Sequence, residues 1–465
     1  MGFVDKFKIN KKIISIENFF LLIALFFGIA FAVIGTPFQE CDGWDHFIRS
    51  MDVSYGNLLA PITPLNHESG KAVVPANYDD IDYKITDPAS GEGAALKAHL
   101  KSIKPSKDKK TIEFNEGTMS LFFYPQAIGL FIGRHLGLSY FGFVLMGKLA
   151  NFFVFLALTY WAIRITPILK NSMMVIALLP MTLYQAASFS PDSMLNGLCF
   201  LFAALCFYYA YGDKDKIGIK DMLVLGSILG LIFLCKYVYI MLGMLIFIIP
   251  KEKFGSNKEY FKKCMIALIP IVILGSIAIS TVIGVVSTGT QSAAESIAES
   301  GSGTTPLAYI MQSPLNILRV LKYTLLVDFN TYVYWLNALG SLNYILEPLI
   351  YIIPMFMLYV TGSDVSKELE LVKFKDKVIG LFTFLLIGAC IIIGIYVGDT
   401  SVNSGDSILV MGVQGRYFIA AFPALAFALV PRKRINNDKY YSVKVLAFDI
   451  CILLFSMMIL RDNCY

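Results

Sequence analysis

The sequence predicts an all-α polytopic membrane protein with about 11 transmembrane helices, each counted as a run of roughly 17 to 25 apolar residues. Hydrophobic residues fill 56% of the 465 positions and charged residues only 16%, whereas soluble proteins carry about 25% charged residues. The mean hydropathy is +0.65. This composition excludes a disordered, coiled-coil or nucleic-acid-binding chain, because those classes are polar or dense in charge.

The predicted spans are separated by polar breaks of very different length. The fifth and sixth spans are short and only Lys236 and Tyr237 separate them, so a single broken or re-entrant hairpin is an alternative there. The spans lie near residues 18–35, 140–163, 172–187, 192–211, 221–235, 237–250, 264–286, 343–361, 377–397, 417–430 and 444–460.

Basic residues recur in every second loop between these spans. Cytoplasmic loops of membrane proteins carry such an excess of Lys and Arg, so we expect a cytoplasmic N terminus and an extracellular Tyr465. The net charge of +5 then orients the protein and indicates no nucleic-acid partner. The eight cysteines include no CxxC pair, which argues against a zinc site or a disulfide scaffold. The basic loops lie near residues 6–12, 164–170, 214–220, 251–263, 367–377 and 432–444.

The spans and loops define the domain organisation. Within the first extracellular loop, residues 91–103 predict a surface helix, and residues 121–132 are apolar but too short to span, which favours an interfacial or re-entrant helix. The Ser/Gly-rich residues 288–305 predict a mobile loop. The segments are a cytoplasmic N terminus (1–17), the first transmembrane helix (18–35), a large extracellular loop (36–139), transmembrane helices 2–7 (140–286), a second extracellular loop (287–342), transmembrane helices 8–11 (343–460) and an extracellular C terminus (461–465).

A dense group of polar residues directly follows the first span. Asp42, Asp45, His46 and Arg49 fall within eight positions. In a structural interpretation, Asp42 caps an interfacial helix and Asp45 forms an i,i+4 pair with Arg49. In a functional interpretation, a carboxylate at the membrane surface acts as a general base or metal ligand, and His46 or Arg49 orients it.

Single polar residues stand at three other predicted span ends. Asp192 follows Pro191 at a helix start, where helix capping would also select it. Lys236 separates the fifth and sixth spans, and Arg416 stands at the mouth of the tenth. Each cation either snorkels to the headgroups or binds a phosphate, for which the planar guanidinium of arginine is well shaped.

Five short motifs occur in the same order as in a known family. Together they span about residues 20–430, and the chain resembles the bacterial membrane proteins of domain-of-unknown-function family 2142, which are themselves similar to GT-C membrane glycosyltransferases. The motifs are Asp42-x-x-x-His46-Phe47, Tyr124-Pro125-x-x-x-Gly129, Ser190-Pro191-Asp192, Lys236-x-x-Tyr239 and Gly412-Val413-Gln414-Gly415-Arg416-Tyr417-Phe418.

The resemblance implies a GT-C-like enzyme of the bacterial cytoplasmic membrane with an extracellular active site. Its donor would be a polyprenyl-phosphate sugar, and its acceptor an envelope glycan or glycolipid. It leaves open whether Asp42 and Asp192 hold a divalent cation, Mg²⁺ or Mn²⁺, or the site works without metal. The implied catalytic residues are Asp42, Asp45 and His46, and the implied substrate-binding residues are Arg49, Tyr124, Gln126, Asp192, Lys236, Gln414, Arg416 and Tyr417.

One position departs from the family pattern. The family commonly has Asp-Glu at the first motif, and Gly43 stands in place of the Glu. Either Asp45 compensates for it or the site lacks one ligand.

Two other functions compete with a transferase. A flippase of lipid-linked sugars would keep polar and broken helices near the bilayer midplane, whereas the charges here gather at span ends. A non-catalytic envelope-assembly protein is the other alternative, and Gly43 favours it.

Overall fold

The computed structural model describes residues 15–58, 71–81, 92–114, 120–276, 305–327, 336–339, 344–398, 403–405, 407–432, 436, 438 and 440–464. The helices are α1 (Ile16–Ile34), α2 (Gly43–Ser54), α3 (Glu92–Ser102), α4 (Tyr124–His135), α5 (Tyr140–Ile165), α6 (Lys170–Leu178), α7 (Pro180–Ala186), α8 (Asp192–Tyr211), α9 (Ile219–Cys235), α10 (257–276), α11 (Pro306–Gln312), α12 (Pro314–Val327), α13 (Ile352–Gly362), α14 (Phe374–Gly398), α15 (Phe422–Leu429) and α16 (Tyr441–Cys464). The 3₁₀ helices are Tyr78–Asp80, Ser120–Phe123, Tyr237–Ile248, Lys251–Phe254, Glu347–Leu349, Lys367–Leu371 and Gly415–Ala421.

Five of these helices are long and apolar enough to cross a membrane: α1, α5, α8, α14 and α16. Three shorter apolar segments accompany them, at Tyr237–Ile248, Glu347–Gly362 and Gly415–Leu429. The prediction of a mostly helical membrane protein is therefore confirmed. The larger number of spans stays a prediction.

The predicted span at 172–187 is not one continuous helix. It is divided into α6 and α7, and the break falls at Leu179, directly before Pro180. Proline has no N–H to donate and its ring clashes with the preceding turn, so a helix ends ahead of it. Every residue of both short helices from Asn171 to Ala186 is buried, so their broken backbone is shielded from lipid.

A second break separates the predicted fifth and sixth spans. Helix α9 ends at Cys235, Lys236 has an extended backbone, and the chain continues as the 3₁₀ helix Tyr237–Ile248. A break at this point is common to the two short spans and to the single broken hairpin that the sequence left open. It leaves the Lys236 side chain at the junction of two helical segments.

The segment between α1 and α5 forms a small second layer with its own core. Helix α3 confirms the helix predicted over 91–103, and α4 confirms the short helix predicted near 121–132. A two-stranded antiparallel sheet, which the sequence did not predict, joins β1 (Lys71–Pro75) to β2 (Lys109–Glu113), with Lys71 opposite Glu113. Its core contains Phe47, Met51, Val74, Leu96, Leu100, Phe114, Phe143 and Phe189.

Helix α4 lies directly on α5. A Cβ atom added at Gly129 would come within 2.1 Å of the Met146 carbonyl oxygen, so only glycine permits this approach. Residues 288–304, where the sequence predicts a mobile loop, lie outside the described residues. Thr305 follows them and caps α11 by accepting a hydrogen bond from the Ala308 N–H at 3.0 Å.

Two further short strands, β3 (Ala338–Leu339) and β4 (Tyr344–Ile345), pair antiparallel ahead of α13. The largest core joins α1, α5, α6, α7, α8 and α15 through residues such as Phe27, Phe152, Phe200, Phe207 and Phe427.

Candidate active site

Asp42 occupies the residue directly before α2, but its side chain does not cap the helix. It forms no capping hydrogen bond, and its backbone is left-handed, with φ of 59°. Its Oδ2 instead accepts a hydrogen bond from Nη2 of Arg416 at 2.9 Å. The contact joins residues 374 positions apart. The capping interpretation of this carboxylate is therefore wrong. Aspartate tolerates the left-handed backbone, and in this conformation its side chain faces Arg416.

Asp192 is the first residue of α8, and its carboxylate likewise makes no capping hydrogen bond. Its Oδ1 accepts a hydrogen bond from Nζ of Lys236 at 2.5 Å. A negative charge here is also favoured by the positive end of the helix dipole. The break after α9 thus brings Lys236 to the start of α8.

Tyr417 lies between the two cations of the site. The Arg416 guanidinium carbon and the Lys236 ammonium nitrogen each lie 5.1 Å from the centre of its ring. Tyr239 donates a hydrogen bond from its hydroxyl to the Tyr417 backbone oxygen at 2.7 Å, which holds the 3₁₀ helix Gly415–Ala421 in place. Aromatic faces attract cations at such distances, so the ring holds both positive charges beside one space.

That space is a cavity of about 280 Å³. Its wall combines four stretches of chain that are far apart in sequence. It is lined by Asp42, Asp45, His46, Pro191, Asp192, Lys236, Arg416 and Tyr417. All three predicted catalytic residues, and four of the eight predicted substrate-binding residues, meet here.

Two of these groups have shifted acidity. Burial, and then the nearby Asp42 carboxylate, raise the pKa of Asp45. Burial lowers the pKa of His46 to about 4, so its imidazole is neutral at pH 7. The cavity then holds three carboxylates and two cations. A carboxyl with a raised pKa and a neutral imidazole are both groups that can accept a proton.

The other four predicted substrate-binding residues do not line the cavity. Arg49 forms an ion pair with Asp52 at 3.3 Å, so the predicted pairing of Asp45 with Arg49 is wrong. The Tyr124 hydroxyl donates to the Leu58 backbone oxygen at 2.7 Å. Gln414 directly precedes the 3₁₀ helix Gly415–Ala421.

Gln126, the fourth, has a supporting position. Its Nε2 donates to the Phe189 oxygen at 3.1 Å. Asn151 on α5 donates to the oxygens of Ser188 and Ser190 at 2.8 and 3.0 Å. These amides hold the loop that leads into Asp192.

The sequence did not predict a buried ion pair next to the site. Lys148 Nζ lies 3.1 Å from Oε2 of Glu40, and the two side chains are 5% and 4% exposed. Glu40 Oε1 also accepts a hydrogen bond from the Phe189 N–H at 3.3 Å. The pair therefore joins the chain before Asp42 to the loop before Asp192. A lone lysine in the apolar run 140–163 was the available signal, because an ionisable residue at membrane depth is costly unless paired.

A family model described as "Predicted membrane protein (DUF2142)" matches residues 25–425. The chain belongs to this family. No curated protein and no solved structure matches it. Every residue that lines the cavity, from Asp42 to Tyr417, lies within the part of the chain matched to DUF2142.

The structure leaves no room for a side chain at Gly43. A Cβ atom at Gly43 would lie 2.6 Å from Glu40 Cγ and 2.9 Å from the Phe38 oxygen. No larger residue fits while Glu40 points toward Lys148. Asp45, three residues after Asp42, supplies a carboxylate to the cavity instead.

The two residues predicted to hold a divalent cation do not form a fitting ligand set. Asp42 and Asp192 each face a cationic side chain, Arg416 and Lys236 respectively. Within the described ranges, no three His, Cys, Asp or Glu side chains are grouped to hold a metal ion. Mg²⁺ and Mn²⁺ favour several oxygen ligands, and two carboxylates that each face a cation do not supply them.

Proposed function

We propose that this protein is a GT-C-type glycosyltransferase. It moves a sugar from a polyprenyl-phosphate donor to a cell-envelope polysaccharide or glycolipid at the outer face of the bacterial cytoplasmic membrane. One observation carries the proposal. The 3₁₀ helix Gly415–Ala421 borders two cavities, the polar one that holds two cations and a second one that is apolar.

The apolar cavity supports a lipid substrate. Its volume is about 350 Å³, and Gly415 lines it while the next two residues, Arg416 and Tyr417, line the polar cavity. A molecule that occupies both spaces needs a charged part and a long apolar part. The apolar lining is Leu325, Leu336, Pro354, Met357, Leu358, Thr361, Phe384, Gly415, Phe418, Phe422, Leu425, Ala426 and Leu429.

Arg416 and Lys236 support phosphate as the charged part. Arg416 is buried, and its Nε has no hydrogen-bond partner among the described residues, so its guanidinium retains donors for an anion. When the sugar leaves, negative charge gathers on the phosphate, and preorganised cations in a partly dry site stabilise it strongly. Tyr417 keeps both cations in place.

Asp45 is the better placed of the two loop carboxylates to act as general base. Asp42 is engaged by Arg416, whereas Asp45 forms no ion pair in the described structure, has a raised pKa and is exposed at the cavity. In the step, the acceptor hydroxyl oxygen bonds to the anomeric carbon and its proton passes to Asp45. The carbon–oxygen bond to phosphate breaks, and its electron pair stays on the phosphate. Asp42 orients Arg416. The neutral imidazole of His46, the residue after Asp45, lines the same cavity.

We also propose that the chain has about 11 spans and a GT-C-like fold, with its N terminus in the cytoplasm and the polar cavity on the extracellular side. Asp42 follows the C-terminal end of α1, Asp192 begins α8 and Lys236 follows α9. All three lie at the helix ends opposite the basic loops. The positive-inside rule puts those basic loops in the cytoplasm, which supports an extracellular cavity.

The test is sugar transfer by the purified protein in detergent, with a radiolabelled polyprenyl-phosphate sugar and envelope extract as acceptor. We expect turnover in the wild type and a rate about 100- to 10,000-fold lower in Asp45→Asn, which keeps shape but loses the base. Asp108→Asn, a change at an exposed loop carboxylate, is the matched control. Lipid translocation in vesicles without bond cleavage would establish the flippase alternative and refute the transferase.

A further inference from the structure

We propose that a groove at the far end of α2 binds an anionic phospholipid, with one acyl chain in the groove and the phosphate on Arg134. The site shares no lining residue with the catalytic cavity, and lipid binding there is independent of sugar transfer. Helix α2 connects the two, since 12 residues at 1.5 Å each place its ends about 18 Å apart.

The groove has a volume of about 420 Å³ and an almost wholly apolar wall. Its one phenol, Tyr124, already donates its hydroxyl proton to the Leu58 oxygen, so it offers the groove mainly its ring. A hydrocarbon chain suits such a wall better than a sugar does, because a sugar needs polar partners. The groove is lined by Val53, Ser54, Gly56, Leu58, Tyr124, Ala127, Ile128 and Phe131.

Helix α4 carries large exposed apolar side chains beside the groove. Ile128 and Phe131 are 58% and 49% exposed, and Leu136, directly after the helix, is 66% exposed. At 12 residues, or about 18 Å, the helix is too short to cross a hydrocarbon core of about 30 Å. Short amphipathic helices of this kind lie in the interface, where acyl chains and headgroups meet.

Two cations stack on Tyr55, the residue after the groove-lining Ser54, without a carboxylate partner in the described structure. The Arg134 guanidinium lies 4.0 Å above the Tyr55 ring and 5.8 Å from the Phe131 ring centre. Its Nη1 and Nη2 donate to the Ser54 hydroxyl and backbone oxygen at 3.1 and 2.9 Å. Lys109 Nζ lies 5.4 Å from the same Tyr55 ring.

This arrangement selects the headgroup. Two uncompensated positive charges beside an apolar groove match one lipid class: an acyl chain with an anionic phosphate. A zwitterionic lipid would bring a positive choline or amine toward the same cations. Phosphatidylglycerol is therefore the probe, and phosphatidylcholine its matched control.

The experiment titrates fluorescent phosphatidylglycerol or phosphatidylcholine against the full-length protein in detergent, without any sugar donor. We expect phosphatidylglycerol to bind at least about tenfold more tightly. Arg134→Gln should abolish that preference and Ile128→Ser should weaken binding of both lipids. Lys258→Gln, at an exposed lysine on α10, a helix that contributes no residue to the groove, should change neither.

Four results would overturn the proposal. Equal affinity for the two lipids, or an unchanged preference in Arg134→Gln, would exclude selection of an anionic headgroup by Arg134. Competition by soluble glycerol phosphate as strong as by the whole lipid would remove the chain contact. Photo-crosslinking from Phe131→p-benzoylphenylalanine to the protein's own residues 59–70, with no lipid adduct, would show that the groove holds this chain. Transfer activity enters none of these measurements, so loss of the transferase proposal would leave them intact.

Discussion

Lys148→Met should destabilise the protein far more than an ordinary loss of a surface charge. Lys148 and Glu40 lie 3.1 Å apart and almost wholly buried, so the substitution leaves the Glu40 carboxylate buried with the Phe189 N–H as its remaining described partner. Breaking a buried pair on one side costs about 3 to 5 kcal/mol, whereas replacing both partners by uncharged groups is often neutral. We therefore expect Lys148→Met to lose about 3 to 5 kcal/mol and Glu40→Gln/Lys148→Met to recover most of it.

The assay is reversible unfolding in mixed detergent micelles, analysed as a double-mutant cycle over the two single variants and the double variant. The matched control is the half-exposed pair of Lys214 and Asp221, 2.5 Å apart, whose loss in Lys214→Met should cost about 0 to 1 kcal/mol. Labelling of the native Cys41 adds a local measurement, because this residue lies between Glu40 and Asp42. Its rate of reaction with a maleimide should rise in Lys148→Met and return toward wild type in the double variant.

Two outcomes would refute this reasoning. A loss below about 1 kcal/mol in Lys148→Met would mean that the pair is hydrated or absent. A double variant no more stable than Lys148→Met would mean that the stranded Glu40 charge is not the cause.

The remaining predictions concern the cavity and the topology. Asp45 acts as a base only when it is deprotonated, and the Asp42 carboxylate contributes to its raised pKa. The transfer rate should therefore fall as the pH drops through that pKa, and Asp42→Asn should move the acidic limb of the pH–rate profile to lower pH. An unmoved limb would exclude Asp45 as the base. Arg416→Lys should weaken binding of a sugar-free polyprenyl phosphate about tenfold and Arg416→Ala more, because lysine lacks the planar fork; equal affinities in monodisperse variants would show that Arg416 only anchors the turn. In a cysteine-free background, Ser102→Cys should react with an impermeant maleimide in intact cells and Ser256→Cys only after permeabilisation; the same labelling at both would refute the topology.

Local sequence pattern was sufficient for the helical membrane body. Long apolar runs predicted α1, α5 and α8 within a few residues, because a helix that crosses lipid must satisfy its own backbone and carry apolar side chains throughout. The apolar run at 121–132 predicted the helix α4, and its short length predicted that this helix does not span the membrane. The helix over 172–187 is interrupted, which the apolar run did not reveal, because hydropathy does not register that Pro180 interrupts the hydrogen-bond ladder.

The site was partly predictable for a related reason. A charge at a span end is costly unless it is paired or used, so Asp42, Asp192, Lys236 and Arg416 stand out among the apolar runs of the sequence. The sequence could not say which charge meets which. The i,i+4 spacing favoured a pair of Asp45 with Arg49, but Arg49 faces Asp52.

The class of protein and the candidate charges follow from local composition and from the energetics of the bilayer, so the amino-acid sequence is enough to predict both. The pairings become visible only in the folded chain: Asp42 with Arg416 across 374 positions, and Glu40 with Lys148 across 108. Such contacts depend on which helices become neighbours and on where each helix ends. Packing of the whole chain sets both, and no local periodicity encodes them.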